Sequence, residues 1–174
     1  MYAGRLAWEK GLLVPTQAFA KCVSKIPDAQ LLIAGEGPIE KSVRDLIAEL
    51  GISENTKRLG DLTQDEIDEQ FSGAWVQALP SLTPEPLASS AIEGMMRGHM
   101  SIASNLGGFP EVIDDGISGH LIEPTMLTHG QLPFTASWTH LTPPNKWDWP
   151  DALVHCRSLT ANHALTISSS CIEK

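Results

Sequence analysis

The run Pro80-Ser81-Leu82-Thr83-Pro84-Glu85-Pro86-Leu87-Ala88-Ser89-Ser90-Ala91-Ile92-Glu93 carries two glutamates with seven residues between them. An apolar stretch ends just before it and a helical pattern begins inside it, so Glu85 falls in a loop and Glu93 on a helix. Between the two, the helix start offers N–H groups without intrahelical partners and the positive end of the helix dipole. Together these make a natural seat for phosphate. A carboxylate on either side can accept hydrogen bonds from sugar hydroxyls, Glu85 from a hexose and Glu93 from a ribose. The plainer alternative is that Glu85 caps the helix and Glu93 faces solvent.

Two cations complete a possible anion site. Arg5 and Lys10 lie between Gly4 and Gly11, on one loop after a short strand stub. Arginine offers a planar fork and lysine a point charge, a pair able to clamp a diphosphate. Taken alone they also fit an ordinary solvated loop. Gly35-Glu36-Gly37-Pro38 follows the apolar run Leu31-Leu32-Ile33-Ala34. Its glycines would permit a tight turn and close approach of backbone to a ligand. The third glycine of a dinucleotide fingerprint is missing, and no GxxxxGK[ST] occurs, so P-loop hydrolysis of ATP is not expected.

The elements that would position these residues alternate strand with helix. Tyr2-Ala3 reads as the strand stub. Leu12 to Lys25 is amphipathic, with Leu12, Ala18, Phe19, Cys22, Val23 and Ile26 near one face, and Pro15 fits its first turn. Leu31 to Ala34 is wholly apolar, as in a strand buried on both faces. Ile39, Val43, Leu46, Ile47 and Leu50 recur at helical spacing, and Gly51 stops that helix. Thr56 to Leu59 is a further strand, and Thr63 with Glu66 forms a capping-box pattern for a short acidic helix. Ala74 to Leu79 is a strand, Ser90 to Arg97 a helix ended by Gly98, and Met100 to Ala103 a strand. A helical turn at Pro110 to Ile113 and a last strand at His120 to Ile122 close the pattern. The order predicts an α/β, Rossmann-like parallel sheet with helices on both faces, whose ligands bind at the carboxyl ends of the strands.

Composition narrows the classes. The 174-residue chain fits one full-sized domain. A formal net charge of −9 without a basic stripe argues against nucleic acid as a partner. Three cysteines, Cys22, Cys156 and Cys171, form no CxxC and suit a reducing compartment. No basic-then-apolar leader and no apolar run of ~20 residues is seen, so a cytoplasmic protein is expected, with membrane-surface contact left open. The chain divides at about Pro124. Residues 125–174 hold only three of the 21 acidic residues but four of the six histidines and three of the five tryptophans, so they form an atypical, poorly patterned tail. His155, Cys156, His163 and Cys171 follow no zinc-finger spacing, so no metal or cofactor is expected. Trp138, Trp147 and Trp149 fit a role covering apolar surface left open by a missing partner.

Taken in order, Gly4-Arg5-Leu6 with Lys10-Gly11, Ala34-Gly35-Glu36-Gly37-Pro38, Glu85 with Glu93, Ser104-Asn105-Leu106-Gly107-Gly108-Phe109-Pro110-Glu111 and Asp115-Gly116-Ile117-Ser118-Gly119 form a recognisable set. The set resembles the C-terminal, donor-binding domain of the family-four (group 1) retaining glycosyltransferases of GT-B fold, from roughly Tyr2 to Pro124. No single motif is specific, but the combination is. The resemblance implies a UDP-, GDP- or ADP-sugar donor, no bound metal, and transfer of a hexosyl group with retention. It makes Arg5 and Lys10 the diphosphate-binding pair, Glu85 the donor-sugar contact and Glu93 the ribose contact. It puts Gly35 and Glu36, and the backbone from Pro86 through Leu87, Ala88 and Ser89 to Ser90, beside the donor, and Leu59-Gly60 near the base. Residues 1–124 would then be a nucleotide-sugar-binding domain whose first strand is short, inactive without an acceptor-binding domain or subunit. A non-catalytic remnant and half of a sugar-nucleotide epimerase are the alternatives.

Several residues depart from the family pattern. Ala88 stands where glycine is usual, so its methyl is expected to push the backbone from the donor or to oppose a positive φ. Ser89-Ser90 replaces apolar residues. Gly94 lies inside a helix where alanine is common, at a cost of ~1 kcal/mol. His99-Met100-Ser101 replaces an apolar strand start.

Overall fold

Short apolar runs and amphipathic stretches alternate along the chain, and each becomes the element its period dictates. The computed structural model describes residues 1–123. In order these are β1 (Tyr2–Ala3), α1 (Leu13–Val23), β2 (Leu31–Ala34), α2 (Glu40–Glu49), β3 (Thr56–Gly60), α3 (Gln64–Phe71), β4 (Val76–Leu79), α4 (Ser89–Met96), β5 (Met100–Ser104), α5 (Phe109–Val112) and β6 (Gly119–Ile122). The tail beyond Pro124, with its tryptophans, histidines and two cysteines, lies outside the described residues.

Every strand pair is parallel: β1 with β2, β2 with β3, β4 with β5, and β5 with β6. The two triplets meet beside β1. There the Met1 amino group donates to the Val76 carbonyl at 2.7 Å, and the Ala78 N–H donates to the Met1 carbonyl at 2.9 Å. The order across the molecule is thus 3-2-1-4-5-6. The chain reverses its winding between β1 and β4, which is where ligands bind in sheets of this kind. β4 and β5 are buried at every residue, as central strands should be, whereas the outer β3 exposes Lys57 and Arg58, charges that suit an edge.

Two apolar layers hold the helices down. Leu12, Phe19, Ile33, Val43 and Ile47 belong to one cluster, so α1 and α2 pack on β2. Ala91 and Met95 of α4 pack with Leu79, Ala103 and Phe109. Each large apolar side chain buried in this way contributes roughly 1.5–3 kcal/mol of transfer free energy. The Thr63–Glu66 capping box forms in full: Glu66 N–H donates to Thr63 Oγ1, and Thr63 N–H donates to the Glu66 carboxylate at 2.8 Å. Pro15 is the third residue of α1, where a missing N–H leaves no bond unmade.

Two expectations need correction. Ile26 is 48% exposed and does not join the core face of α1. The helix ends at Val23, and a turn closed by Ile26 N–H on Cys22 O carries the side chain away. β4 begins at Val76 rather than Ala74, because the Ala74 N–H is used in a turn onto Phe71 O and Trp75 is exposed.

The unusual residues of β4, α4 and β5 explain one another. Gln77 is buried in β4, and its carboxamide donates to Ala91 O at 3.2 Å and to Ser101 Oγ at 2.7 Å. Gly94 of α4 lies directly over that carboxamide, and a Cβ built there would overlap it. Glycine in the helix and serine in the strand are therefore what a polar side chain between sheet and helix requires. His99 is also buried, and its Nε2–H donates to Phe71 O at 3.0 Å, fastening the end of α3 to the start of β5.

On an open helix, Gly94→Ala would gain about 1 kcal/mol. Here it is expected to destabilise by about 1–3 kcal/mol, because Gln77 must move and give up buried hydrogen bonds. Urea denaturation should show a lower midpoint for Gly94→Ala and recovery of most of the loss when Gln77→Ala is added, the signature of direct coupling.

Candidate functional site

At the carboxyl ends of the strands, four loops are tied into one surface. Leu6 N–H of the β1 loop donates to Glu36 O of the β2 loop at 2.8 Å. Leu82 N–H of the β4 loop donates to Glu9 O at 2.8 Å, and Gly108 N–H of the β5 loop donates to Glu85 O at 2.8 Å. Glycines make this contact possible. Gly35 has φ +117°, and a Cβ there would overlap the Gly4 carbonyl; Gly107 has φ +61°, and a Cβ there would overlap the backbone of Glu85. The close approach expected of backbone to a ligand at Gly35 and Gly37 is instead, on the Cβ side, an approach of loop to loop.

Glu85 is the junction. Lys10 Nζ donates to Glu85 Oε1 at 2.6 Å, with both side chains largely shielded. The buried Ser81 hydroxyl donates to the same oxygen. One carboxylate thus joins the β1 loop to its own β4 loop. Burial pushes the Glu85 carboxyl up, but the hydrogen bonds from Lys10 and Ser81, with the Lys10 charge, outweigh it and hold the group below its ordinary value. Arg5 is more exposed, at 63% of its side chain, and pairs with Glu9, four residues on in the same loop.

Beside this junction is a cleft of about 400 Å3, lined among others by Arg5, Gly35, Glu36, Glu93 and Arg97. Ser90, in the first turn of α4, also lines it. Arg5, Gly35, Glu36 and Glu93 therefore share one cleft. Lys10 and Glu85 do not line it but pair with each other in the loops after β1 and β4. Pro86, Leu87 and Ser89 are exposed on the way into α4. Leu59 and Gly60 are half-buried, and Gly60 O accepts from Gly35 N–H at 2.6 Å. The next residues, Asp61 and Leu62, are the ones that line the cleft.

Ala88 corrects one expectation, that its methyl would oppose a positive φ. It is the N-cap of α4 with φ −80°, and it is buried against the α4 cluster. Its methyl opposes no left-handed backbone and contributes to the core. Neither Glu85 nor any other side chain caps α4, since the cap position makes no side-chain hydrogen bond. Sequence reasoning overlooked Arg97 and Gln77, both of which line the cleft. The available signal for Arg97 was its place one helical turn after Glu93.

Among the described residues, no group of three or more His, Cys, Asp or Glu stands together in a way that could hold a metal. No helix among them is long and apolar enough to cross a membrane.

The family described as glycosyl transferases, group 1, matches residues 1–129. The chain belongs to that family. An uncharacterized glycosyltransferase of Methanocaldococcus jannaschii is 30% identical over 124 residues, which cover 71% of this chain and 31% of the relative. The lipopolysaccharide 1,2-N-acetylglucosaminetransferase of Salmonella typhimurium is 30% identical over 134 residues, covering 71% of this chain and 35% of the relative. This group 1 chain thus spans about a third of the length of these relatives. Among solved structures, the C-terminal domain of a group 1 family protein (LpcC) from Francisella tularensis superposes with a TM-score of 0.76 at 20% identity, over 94% of this chain and 85% of that one. Anabaena HepE, crystallised with UDP, superposes with a TM-score of 0.63 at 19% identity, over 93% of this chain and 47% of its own. The Rossmann-like architecture is therefore that of one half of a GT-B glycosyltransferase.

Removing the ammonium at position 10 tests the junction. Glu85 contributes to stability fully above the ordinary glutamate pKa of about 4.3, and that contribution is lost as pH falls through its lowered folded value. Lys10→Met is expected to move the Glu85 titration upward, as followed by carboxyl carbon NMR. It should also flatten the acid side of the stability-against-pH curve.

Proposed function

We propose that residues 1–124 hold a nucleotide-diphospho-sugar and present its hexosyl group for transfer, with retention of configuration, to an acceptor bound by another domain or subunit. The observation that carries this reading is the junction of Lys10 with Glu85 at the β1/β4 reversal, next to a cleft lined by Arg5 and Glu93. Each half of the donor finds its chemistry there. The diphosphate meets Arg5, Lys10 and the free N–H groups at the start of α4. The hexose lies against Glu85, and the backbone from Pro86 to Ser89 follows it toward the phosphates. The ribose hydroxyls reach Glu93, and the base lies toward Leu59-Gly60 with Gly35 and Glu36 opposite.

The two cations would do the chemical work of the step. Negative charge grows on the departing diphosphate as the glycosidic bond breaks, and fixed cations and amides at that point stabilise it without reorganising. This division of labour uses no metal. Glu85 keeps Oε1 tied to Lys10 and Ser81, which leaves Oε2 as the acceptor for a sugar hydroxyl. The acceptor must be positioned by something else, and without it the effective concentration that drives transfer is lost. UDP in the Anabaena structure and the transferase names of the relatives support a nucleotide-linked donor.

Calorimetric titration with UDP, GDP and ADP is expected to show binding of one nucleotide, weakened by roughly a hundred- to ten-thousandfold in Arg5→Ala/Lys10→Ala, since charge-assisted bonds are worth about 1.5–3 kcal/mol each. Transfer by this chain alone should be negligible. A folded chain that binds none of the three nucleotides would refute the donor-site reading.

A further inference from the structure

Arg97 is a second cation of the cleft with no place in the reading above. It is the C-cap of α4, one turn after Glu93, and its side chain is only 22% exposed. Its Nε donates to Asp68 Oδ1 of α3 at 2.5 Å, while Nη1 lies 4.0 Å from Glu93 Oε2. One guanidinium thus spans two helices: α3 holds one side of the fork, and the other side faces a carboxylate in the cleft. Glu93 by itself is an exposed side chain on a helix surface. A planar fork fixed at one end by Asp68 restricts where its carboxylate can rest, which a lysine's single point charge would do less well.

We propose that Arg97 is a positioning residue that aims the Glu93 carboxylate at the sugar hydroxyls of a bound nucleotide, with Asp68 setting the reach of the guanidinium. The inference rests on the donor-site reading and adds to it a specific device for recognising ribose. The distances support a division of roles. Asp68 takes the short bond, so Arg97 does not collapse onto Glu93 and consume both of its oxygens. At 4.0 Å, Glu93 is oriented by charge yet keeps acceptor capacity for a ligand. Losing Asp68 would release the fork to pair bidentately with Glu93. Losing Arg97 would leave Glu93 to wander. Either change should impair the sugar contact while sparing the diphosphate contact made by Arg5 and Lys10.

The experiment compares three probes on the intact chain: the nucleoside diphosphate that binds best, its 2′,3′-dideoxy analogue, and inorganic pyrophosphate. In the unaltered chain, the hydroxyls should favour the ribonucleotide by roughly ten- to a hundredfold, the range for hydrogen bonds to a charged group. Arg97→Ala and Asp68→Asn should each bring that ratio toward one while leaving pyrophosphate affinity within about twofold. Arg97→Lys should restore part of the ratio. Thermal denaturation of each variant separates positioning from folding, and Asp68→Asn, being on an exposed side chain, serves if Arg97→Ala fails to fold. A ratio that stays high in folded Arg97→Ala and Asp68→Asn overturns the role of Arg97 and leaves the donor site standing. No binding of any nucleotide to the unaltered chain overturns both.

Discussion

The contact between Lys10 and Glu85 is the constraint on which the rest of this surface depends. The two residues are 75 positions apart in sequence and come from the loops after β1 and β4, the strands between which the sheet reverses its winding. Parallel strands deliver their carboxyl-end loops to one edge of the sheet, but they do not by themselves fix those loops against each other. Here an ion pair of 2.6 Å, shielded on both sides and reinforced by Ser81, does so. Backbone bonds from Leu82 to Glu9 and from Gly108 to Glu85 extend the tie to a third loop. A pair at this depth is worth more than an exposed one, because solvent and salt screen it less.

The glycines follow from the same requirement. Gly11, Gly35 and Gly107 each sit where a Cβ would overlap backbone from a neighbouring loop. Read as a sequence, such glycines suggest room for a ligand. In the folded chain the room belongs to the adjoining loop, and what a donor bound as proposed would gain is a rigid wall. Preorganisation of that kind lowers the ordering cost of binding, which is the larger part of what a loose loop would forfeit.

Periodicity made the strand and helix order legible, since it reports burial directly: Leu31 to Ala34 is apolar throughout because both faces of β2 are covered, and Thr63 with Glu66 marks a cap because its two hydrogen bonds are local. The cleft residues Arg5, Gly35 and Glu36 were legible for a related reason, as each closely follows a strand already visible in the sequence, and Glu93 lies on the helical pattern that follows β4. What stayed hidden depends on contacts between elements. Ala88 looked like a liability until its φ of −80° and its burial beside Phe109 were seen. Gly94 and Ser101 looked like two separate weaknesses, but with Gln77, which drew no notice in the sequence, they are one interaction seen from three elements. Arg97 had its spacing from Glu93 as a signal, but its tie to Asp68, 29 positions earlier, has none in the sequence.

The pairing of the cations also bears on how an anion would enter. With a net charge of −9, the chain repels anions at long range, so local cations must capture them. Arg5, Lys10 and Arg97 each already face a carboxylate. These pairs are unequal in strength. Arg5 with Glu9 is an exposed pair within one loop, a kind worth about 0.2–1 kcal/mol, so little opposes its swing toward a phosphate. Lys10 is shielded and held by a carboxylate that is itself fixed by Ser81, so it cannot leave without stranding Glu85. On the donor-site reading, a diphosphate first recruits Arg5 and then shares Lys10 with Glu85. Sharing, in contrast to displacement, leaves Glu85 charged and in place for the sugar. The ion pair that fixes the loops is then also what keeps a cation and a carboxylate side by side, in the order that a phosphate followed by a hexose would require.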